Sequence, residues 1–248
     1  MKFERMKQVT VWPNMTVLEL VKQMNNGGFN CRKLSKAVSL WIEMIDDKNC
    51  TKFLGIAGAL IPGGMRNIIT SLIKEGFIDC IVTTGAQISH DILESFGGQH
   101  LHGEEGIPDK KLAEMDLSRI YTTLIPYNSF VRFEKMMQNI LQKIPNQKMS
   151  TKEFIFHIGS QINDSNSFVR AAYENDVPIF SPSFADSILG VQSWLFSQTN
   201  TLSIDVLKDH TEFSDIVYNS KTMGAIILGG GVPKHFILNG SQLNNGLT

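Results

Sequence analysis

Turns rich in glycine or hydroxyl residues follow four short apolar runs of this 248-residue chain. Each run has the length of a β-strand, and each turn offers backbone N–H groups or hydroxyls that can hold a ligand. The carboxyl ends of parallel strands meet at one edge of a sheet, which is where ligands bind in open α/β folds. The sequence therefore predicts a ligand site built from these turns. They begin at Gly58, Thr84, Ser181 and Gly229.

The three consecutive glycines Gly229–Gly231 are the strongest ligand signal in the sequence. Glycine lets backbone approach a ligand without a Cβ clash, and a helix starting near Pro233 would present its positive end to a phosphate or pyrophosphate. The alternative is a tight strand–helix turn that binds nothing. The Gly-x-Gly-x-x-Gly fingerprint and the Gly-x-x-x-x-Gly-Lys-Ser/Thr loop are both absent, which leaves a nucleotide site of another kind as the interpretation.

Three polar residues next to these turns are candidates for direct chemistry. His235 follows the glycines, where an imidazole near the ligand can act as a general base; the alternative is a structural histidine. Asp186 precedes a predicted helix, so it is either an N-cap residue or a carboxylate that holds ribose hydroxyls. His90 follows the turn at Thr84 and is expected to face the same cleft.

Other chemical patterns are weak. His100 and His102 are spaced like metal ligands, but no third ligand stands nearby, so we predict no metal site. His157 lies in an apolar run and is expected in the core. The three cysteines show no Cys-x-x-Cys spacing that would indicate zinc or a disulfide framework.

Short apolar runs alternate with segments of helical period through most of the chain. This rhythm is typical of βαβ units and predicts an α/β fold: a doubly wound, mostly parallel sheet with helices on both faces. The predicted strands are 53–57, 78–83, 154–158, 178–180 and 225–228. The predicted helices include 65–74, 130–144, 167–175 and 204–218.

Two segments fall outside this alternation. Apolar residues at helical spacing over 15–24 and 31–46, separated by Gly27 and Gly28, predict a helical N-terminal hairpin. Residues 97–128 carry no obvious strand and are rich in glycine, histidine and charge, so we interpret them as an excursion from the sheet. No polar linker interrupts the chain, which predicts a single domain over residues 1–248.

Composition excludes several classes of protein. The 23 Lys and Arg against 24 Asp and Glu give a net charge of −1, so no basic surface for nucleic acid is expected. No run reaches the roughly 18 apolar residues of a membrane helix. Because no apolar leader follows Met1, the protein is expected to be cytoplasmic with reduced cysteines.

Six segments resemble deoxyhypusine synthase in the same order, from about residue 9 to residue 246. The run from Gly229 to His235 is the most specific of them. The resemblance implies an NAD-dependent enzyme that oxidises spermidine and passes its aminobutyl group to one lysine of translation factor 5A. It also implies a homotetramer with active sites at dimer interfaces. The segments are 53–55 (Phe-Leu-Gly), 63–66 (Gly-Gly-Met-Arg), 82–85 (Val-Thr-Thr-Gly), 179–182 (Ile-Phe-Ser-Pro), Asp186 with Leu189-Gly190, and 227–235 (Ile-Leu-Gly-Gly-Gly-Val-Pro-Lys-His).

The resemblance further implies roles for individual residues. Asp186 would hold a ribose, and Gly230 would contact the cofactor through its backbone. His235 matches the base that assists spermidine oxidation. The residues implied to contact NAD are Thr84, Gly85, Ala86, Asp186 and Gly230.

This chain departs from the family pattern where the amine binds. The family's paired glutamates after the Thr-Thr turn are Ser89 and His90 here, and its amine-binding aspartate is Val191. Ammonium groups need carboxylate partners, so these changes favour a synthase-like enzyme for another amine and acceptor, of homospermidine type. The family's segment with the catalytic lysine would fall beyond residue 248. This favours a third interpretation, in which the chain is a catalytically silent, NAD-binding partner of an active subunit.

Overall fold

The computed structural model describes residues 5–247, and the chain divides into two compact units, Met1–Cys50 and Thr51–Thr248. The described part of the first unit contains two packed helices, α1 (Val17–Met24) and α2 (Phe29–Asp46). A capping box, in which Thr16 and Glu19 bond to each other's backbone N–H, begins α1. The predicted N-terminal helices are therefore confirmed, while the single domain over residues 1–248 stays a prediction.

A four-stranded sheet organises the second unit. Its strands are β1 (Cys50–Ile56), β2 (Cys80–Thr83), β7 (Ile179–Phe180) and β9 (Thr222–Leu228), in the order β7-β2-β1-β9. β2 runs parallel to both of its neighbours, with Phe53 opposite Cys80 and Ile81 opposite Ile179. Four of the five predicted strands are thereby confirmed.

Helices cover both faces of this sheet, because alternate strand residues point to opposite sides. Leu54 and Ile81 enter a large core cluster with helices that lie between residues 66 and 197, whereas Phe53 and Val82 enter a second cluster with helices that lie between residues 206 and 241. The doubly wound α/β prediction is confirmed. No described helix is long and apolar enough to cross a membrane. The helices are α3 (Arg66–Lys74), α4 (Gly85–Ser95), α5 (Asp109–Glu114), α6 (Tyr127–Leu141), α7 (Thr151–Gln161), α8 (Phe168–Glu174), α9 (Ile188–Ser197), α10 (Val206–Asn219) and α11 (Gly231–Ser241).

Residues 154–158, predicted as a strand, are part of helix α7. A capping box begins this helix: Ser150 N donates to Glu153 at 2.9 Å, and Glu153 N donates to Ser150 Oγ at 3.1 Å. A five-residue apolar run does not distinguish a strand from a buried helical turn, which is why the prediction was wrong. The core position expected for His157 was wrong as well, since its side chain is only half-buried.

Residues 97–128, predicted to lack strands, contain a small antiparallel sheet. Its strands are β3 (Leu101–His102), β4 (Leu117–Ile120) and β5 (Thr123–Pro126), in the order β3-β5-β4. They have two to four residues, and both side chains of β3 are exposed, so no alternation of apolar and polar residues marks them. A further short parallel pair joins β6 (Lys148–Met149) to β8 (Ser203–Ile204).

Candidate active site

The turn after β1 is held by a buried side chain of α4. Gln87 accepts a hydrogen bond from Ile61 N at 3.0 Å, and its amide donates to the carbonyl of Gly58. Gly58 and Gly64 have φ of 81° and 90°, a left-handed conformation that favours glycine. A Cβ at Gly58, Gly63 or Gly64 would meet nothing within 4 Å. This turn therefore presents bare backbone to open space.

The turn after β2 packs directly against the turn after β7. Thr84 is the N-cap of α4, and its hydroxyl accepts from Gln87 N at 3.4 Å. A Cβ added to Gly85 would lie 2.7 Å from Ser187 Cβ and 2.8 Å from the carbonyl oxygen of Phe184. The absence of a side chain at Gly85 is what lets these two turns meet.

Replacing Gly85 by Ala is expected to lower the free energy of unfolding by about 1–3 kcal/mol, the usual cost of forcing atoms into a packed site. Gly85 lies outside the left-handed region, so the cost would come from contact with Ser187 and Phe184 rather than from backbone strain. Urea denaturation measures the change. Gly63→Ala is the matched control, because its Cβ meets nothing within 4 Å. Equal stability of the two variants would contradict the packing of the turns.

The turn after β7 leaves the carboxylate of Asp186 without a hydrogen bond to any residue that the structure describes. The N-cap of α9 is Ser187, whose hydroxyl accepts from Gly190 N at 2.9 Å, so the N-cap interpretation of Asp186 is wrong. Its carboxylate is exposed and makes no hydrogen bond within residues 5–247. In the same turn, the buried hydroxyls of Ser181 and Ser183 also have no partner in the described part of the chain. The turn therefore offers several polar groups to a ligand.

The glycine turn after β9 packs on the end of β1 and leaves its far side open. Gly229 has φ of 92°, and a Cβ there would lie 2.9 Å from the carbonyl oxygen of Ala57. A Cβ at Gly230 or Gly231 would meet nothing within 4 Å. Helix α11 begins at Gly231, and no described side chain caps its first N–H groups. The helix predicted near Pro233 is confirmed and starts slightly earlier.

Three contacts join the four turns into one edge of the sheet. Gln87 connects the β1 turn to α4, Gly85 connects the β2 and β7 turns, and Gly229 connects the β9 turn to β1. The convergence expected from the sequence is thus observed. The sequence-predicted residues in these turns are Thr84, Gly85, Ala86, Asp186 and Gly230.

His235 lies in the second turn of α11, after the glycine turn. Its side chain is exposed and makes no hydrogen bond with any described residue. Both ring nitrogens are therefore available to a ligand. Its assignment as the base stays a prediction.

A buried ion-pair network packs the helices behind the β1 and β2 turns, and the sequence analysis missed it. Arg66, the first residue of α3, donates from Nε to Asp91 at 2.6 Å and from Nη2 to Asp164 at 2.7 Å. Asp91 is fully buried and also accepts from Ser167 Oγ at 2.5 Å and from Val169 N at 3.2 Å. The network therefore ties α3 and α4 to the start of α8.

A separate cavity of about 540 Å³ lies at the opposite edge of the sheet. Its lining includes Pro178 and Ile179 at the amino end of β7, together with Phe156, His157 and Tyr173. Its walls are mainly apolar, and it contains none of the site residues predicted from the sequence. The four-turn edge is therefore the candidate active site.

Comparison with known proteins identifies the family. The deoxyhypusine synthase family model matches residues 19–248. A protein of Methanosarcina mazei named probable deoxyhypusine synthase 1 is 39% identical, over 94% of this chain and 73% of its own length. One of Archaeoglobus fulgidus, named probable deoxyhypusine synthase 2, is 41% identical over 86% of this chain and 72% of its own length. A solved structure from Entamoeba histolytica that carries the same family name shares the fold, with a TM-score of 0.70 and 22% identity over 90% of this chain and 78% of that chain. The chain belongs to the deoxyhypusine synthase family.

Proposed function

We propose that this chain catalyses the NAD-dependent transfer of an aminobutyl group from spermidine to a lysine of translation factor 5A. Membership of the family supports this chemistry. The observation that carries the proposal is the four-turn edge, where bare glycine backbone after β1 and β9 and the exposed carboxylate of Asp186 after β7 lie at the same edge of the sheet. An acceptor that is a translation factor places the reaction in the cytoplasm.

The residues at this edge fit NAD. The open backbone of Gly230 and the uncapped start of α11 suit a pyrophosphate, because N–H groups and the helix dipole attract negative charge. The Asp186 carboxylate can accept hydrogen bonds from ribose hydroxyls. The hydroxyls of Ser181 and Ser183, which have no hydrogen-bond partner among the described residues, are buried groups that a ligand can pair with. The other residues assigned to NAD are Thr84, Gly85 and Ala86.

NAD, when bound, supplies a hydride acceptor for the amine carbon. In this proposal His235 takes the proton that leaves the amine nitrogen, since its ring nitrogens make no competing hydrogen bond within residues 5–247. The hydroxyl of Thr84 already caps α4, so its task is to hold the turn in shape rather than to move a proton. Gly85 packs on Ser187 and so lets the turn that carries Asp186 lie against the turn after β2.

A second candidate is a synthase-like enzyme that uses another amine and acceptor, of homospermidine type. Ser89 is engaged inside the protein: its hydroxyl donates to Gly85 O at 2.8 Å and accepts from Leu189 N at 3.1 Å. Burial and then the neighbouring His100 lower the pKa of His90 to about 4, so His90 is uncharged at neutral pH. Neither residue offers a carboxylate to an ammonium group, which favours a different amine.

NADH formation with spermidine, homospermidine and putrescine distinguishes these candidates. Turnover of spermidine together with translation factor 5A supports the first, and turnover of another amine supports the second. NAD binding without NADH formation from any of them supports the third interpretation, a catalytically silent partner subunit.

We also propose that the chain self-associates as a dimer or tetramer. Val191, Trp194 and Leu195 of α9 are exposed, and Trp194 retains 60% of its surface. Tyr127 and Val131 of α6, which packs on α9, are exposed too. Exposed apolar side chains gathered on packed helices are typical of a protein interface.

Replacing Asp186 by Ala is expected to weaken NAD binding by on the order of 1.5–3 kcal/mol, the contribution of a hydrogen bond to a charged group. Titration calorimetry measures the dissociation constant. Asp215→Ala is the control, because it removes another exposed carboxylate, from α10. Unchanged NAD affinity in Asp186→Ala would contradict the ribose assignment, and equal losses in both variants would indicate a general charge effect.

A further inference from the structure

The first turns of α7 and α10 lie next to each other, because each helix follows one strand of the short parallel pair β6 and β8. Met149 pairs with Ile204, and Asp205 N donates to Met149 O at 2.8 Å. Ser150 is the N-cap of α7, and Asp205 is the N-cap of α10. A side chain one turn into α10 can therefore reach the beginning of α7.

The carboxylate of Asp209 makes this contact. It accepts hydrogen bonds from Thr151 N at 2.8 Å and from Thr151 Oγ1 at 2.6 Å. Both residues are fully buried. A buried carboxylate needs hydrogen-bond donors, and the positive end of a helix is a favourable place for a negative charge. Asp209 therefore fixes the Thr151 hydroxyl in one orientation.

The Thr151 hydroxyl in turn holds the start of the turn after β7. Ser181 directly follows this edge strand, and Ser181 N donates to Thr151 Oγ1 at 2.9 Å. A carboxylate only accepts, so the single hydroxyl hydrogen goes to Asp209 and a lone pair is left for the Ser181 N–H. Asp209, Thr151 and Ser181 thus form one hydrogen-bonded chain that runs from α10 to the turn.

The turn that begins at Ser181 carries residues assigned to NAD. Phe184 N donates to Ser181 O at 2.9 Å, and Asp186 N donates to Ser183 O at 3.1 Å. Two successive hydrogen bonds therefore connect the position of Ser181 to that of Asp186. The buried hydroxyls of Ser181 and Ser183 have no partner within residues 5–247. A displacement of Ser181 would move all of these groups.

We propose that Thr151 and Asp209 are positioning residues that hold the turn after β7 in the shape that binds NAD. Both side chains are fully buried, so they act through Ser181 and not by touching NAD. The charge of Asp209 polarises the Thr151 hydroxyl, which makes it a better acceptor for the Ser181 N–H. A turn that is ordered before NAD arrives lowers the entropic cost of binding. This inference rests on the proposed function, because it assumes NAD at the four-turn edge.

Thr151→Val tests the chain of hydrogen bonds, because valine has nearly the shape of threonine and lacks the hydroxyl. It is expected to raise the dissociation constant of NAD about 3- to 10-fold, as for one lost hydrogen bond, in titration calorimetry. Thr151→Ser keeps the hydroxyl and is expected to bind NAD like the unsubstituted chain. Thr70→Val is the matched control: Thr70 is a buried threonine of α3 whose hydroxyl donates to Asn166 O at 2.7 Å, in the segment before α8.

Hydrogen–deuterium exchange followed by mass spectrometry tests the connection without NAD. The Ser181 amide is expected to exchange faster in Thr151→Val, because its acceptor is removed, and at the unsubstituted rate in Thr151→Ser and Thr70→Val. Asp209→Asn is a second, milder variant that keeps the shape and removes the charge, and its NAD affinity is expected to fall as well. Thr151→Val combined with Asp186→Ala is expected to weaken NAD binding by less than the product of the two single fold-changes, because both act through one turn.

Unchanged NAD affinity in Thr151→Val would overturn the proposal, and so would an equal loss in Thr151→Ser or in Thr70→Val. Unchanged exchange of the Ser181 amide in Thr151→Val would contradict it independently of any ligand. Absence of NAD binding by the unsubstituted chain would refute the proposed function together with this inference. NAD binding that does not depend on Thr151 would refute this inference alone.

Discussion

Asp91→Ala is expected to cost about 3–5 kcal/mol of unfolding free energy, the usual price of breaking one side of a buried ion pair. The substitution removes the 2.6 Å contact with Arg66, whose side chain stays buried. It also leaves Ser167 Oγ and the backbone N–H of Val169 without their acceptor at the start of α8. Since domains are stable by only about 5–15 kcal/mol, much of the stability of the second unit depends on this carboxylate.

Urea denaturation followed by circular dichroism measures this loss, as a lower midpoint at unchanged slope. Glu174→Ala is the control, because it breaks the exposed Arg170–Glu174 pair, which spans one helical turn and is worth only about 0.3–0.5 kcal/mol. A loss below about 1 kcal/mol for Asp91→Ala would mean that Arg66 is satisfied by Asp164 and Glu94 alone.

His235→Ala is expected to reduce kcat for amine-dependent NADH formation by roughly 100- to 10,000-fold, the range for removing a general base. NAD affinity and the unfolding midpoint should stay close to those of the unsubstituted chain, because the side chain is exposed and makes no hydrogen bond within residues 5–247. This combination of a large kinetic effect with unchanged stability is specific to a residue that touches the substrate.

His157→Ala is the control for this prediction, since His157 lines the cavity at the opposite edge of the sheet. It should leave kcat unchanged. If His235→Ala remained active, His235 would not be the base, and another group would have to take the proton. A pH–rate profile of both variants would then give the pKa of that other group.

The predictions that held depend on local patterns. The strands β1, β2, β7 and β9 are apolar runs that end in turn residues, so their extended form and their common edge could be read in advance. The same pattern misled for Phe154–Ile158, because a short apolar run fits both a strand and a buried helix. The signal that could have decided the matter is the Ser150-x-x-Glu153 capping box, which marks a helix start.

The N-cap of α9 could not be predicted to the single residue from the sequence. Asp186 and Ser187 are adjacent, and both residue types are good caps, so sequence preference does not separate them. In the structure Ser187 makes the capping bond, and the Asp186 carboxylate is exposed. Because the helix cap lies one residue later, at Ser187, Asp186 is not a structural cap and its carboxylate remains a candidate for ligand binding.

The sequence by itself determined the α/β class, the positions of most helices and strands, and the four turns that share one edge of the sheet, because these follow from local periodicity and turn chemistry. Only the tertiary structure decided which polar groups meet. Arg66 pairs with residues 25 and 98 positions away, and His90 reaches His100 through a chain reversal that no local pattern marks. Such pairs form because packing forces distant segments together, and a buried charge or imidazole must then find its partner there.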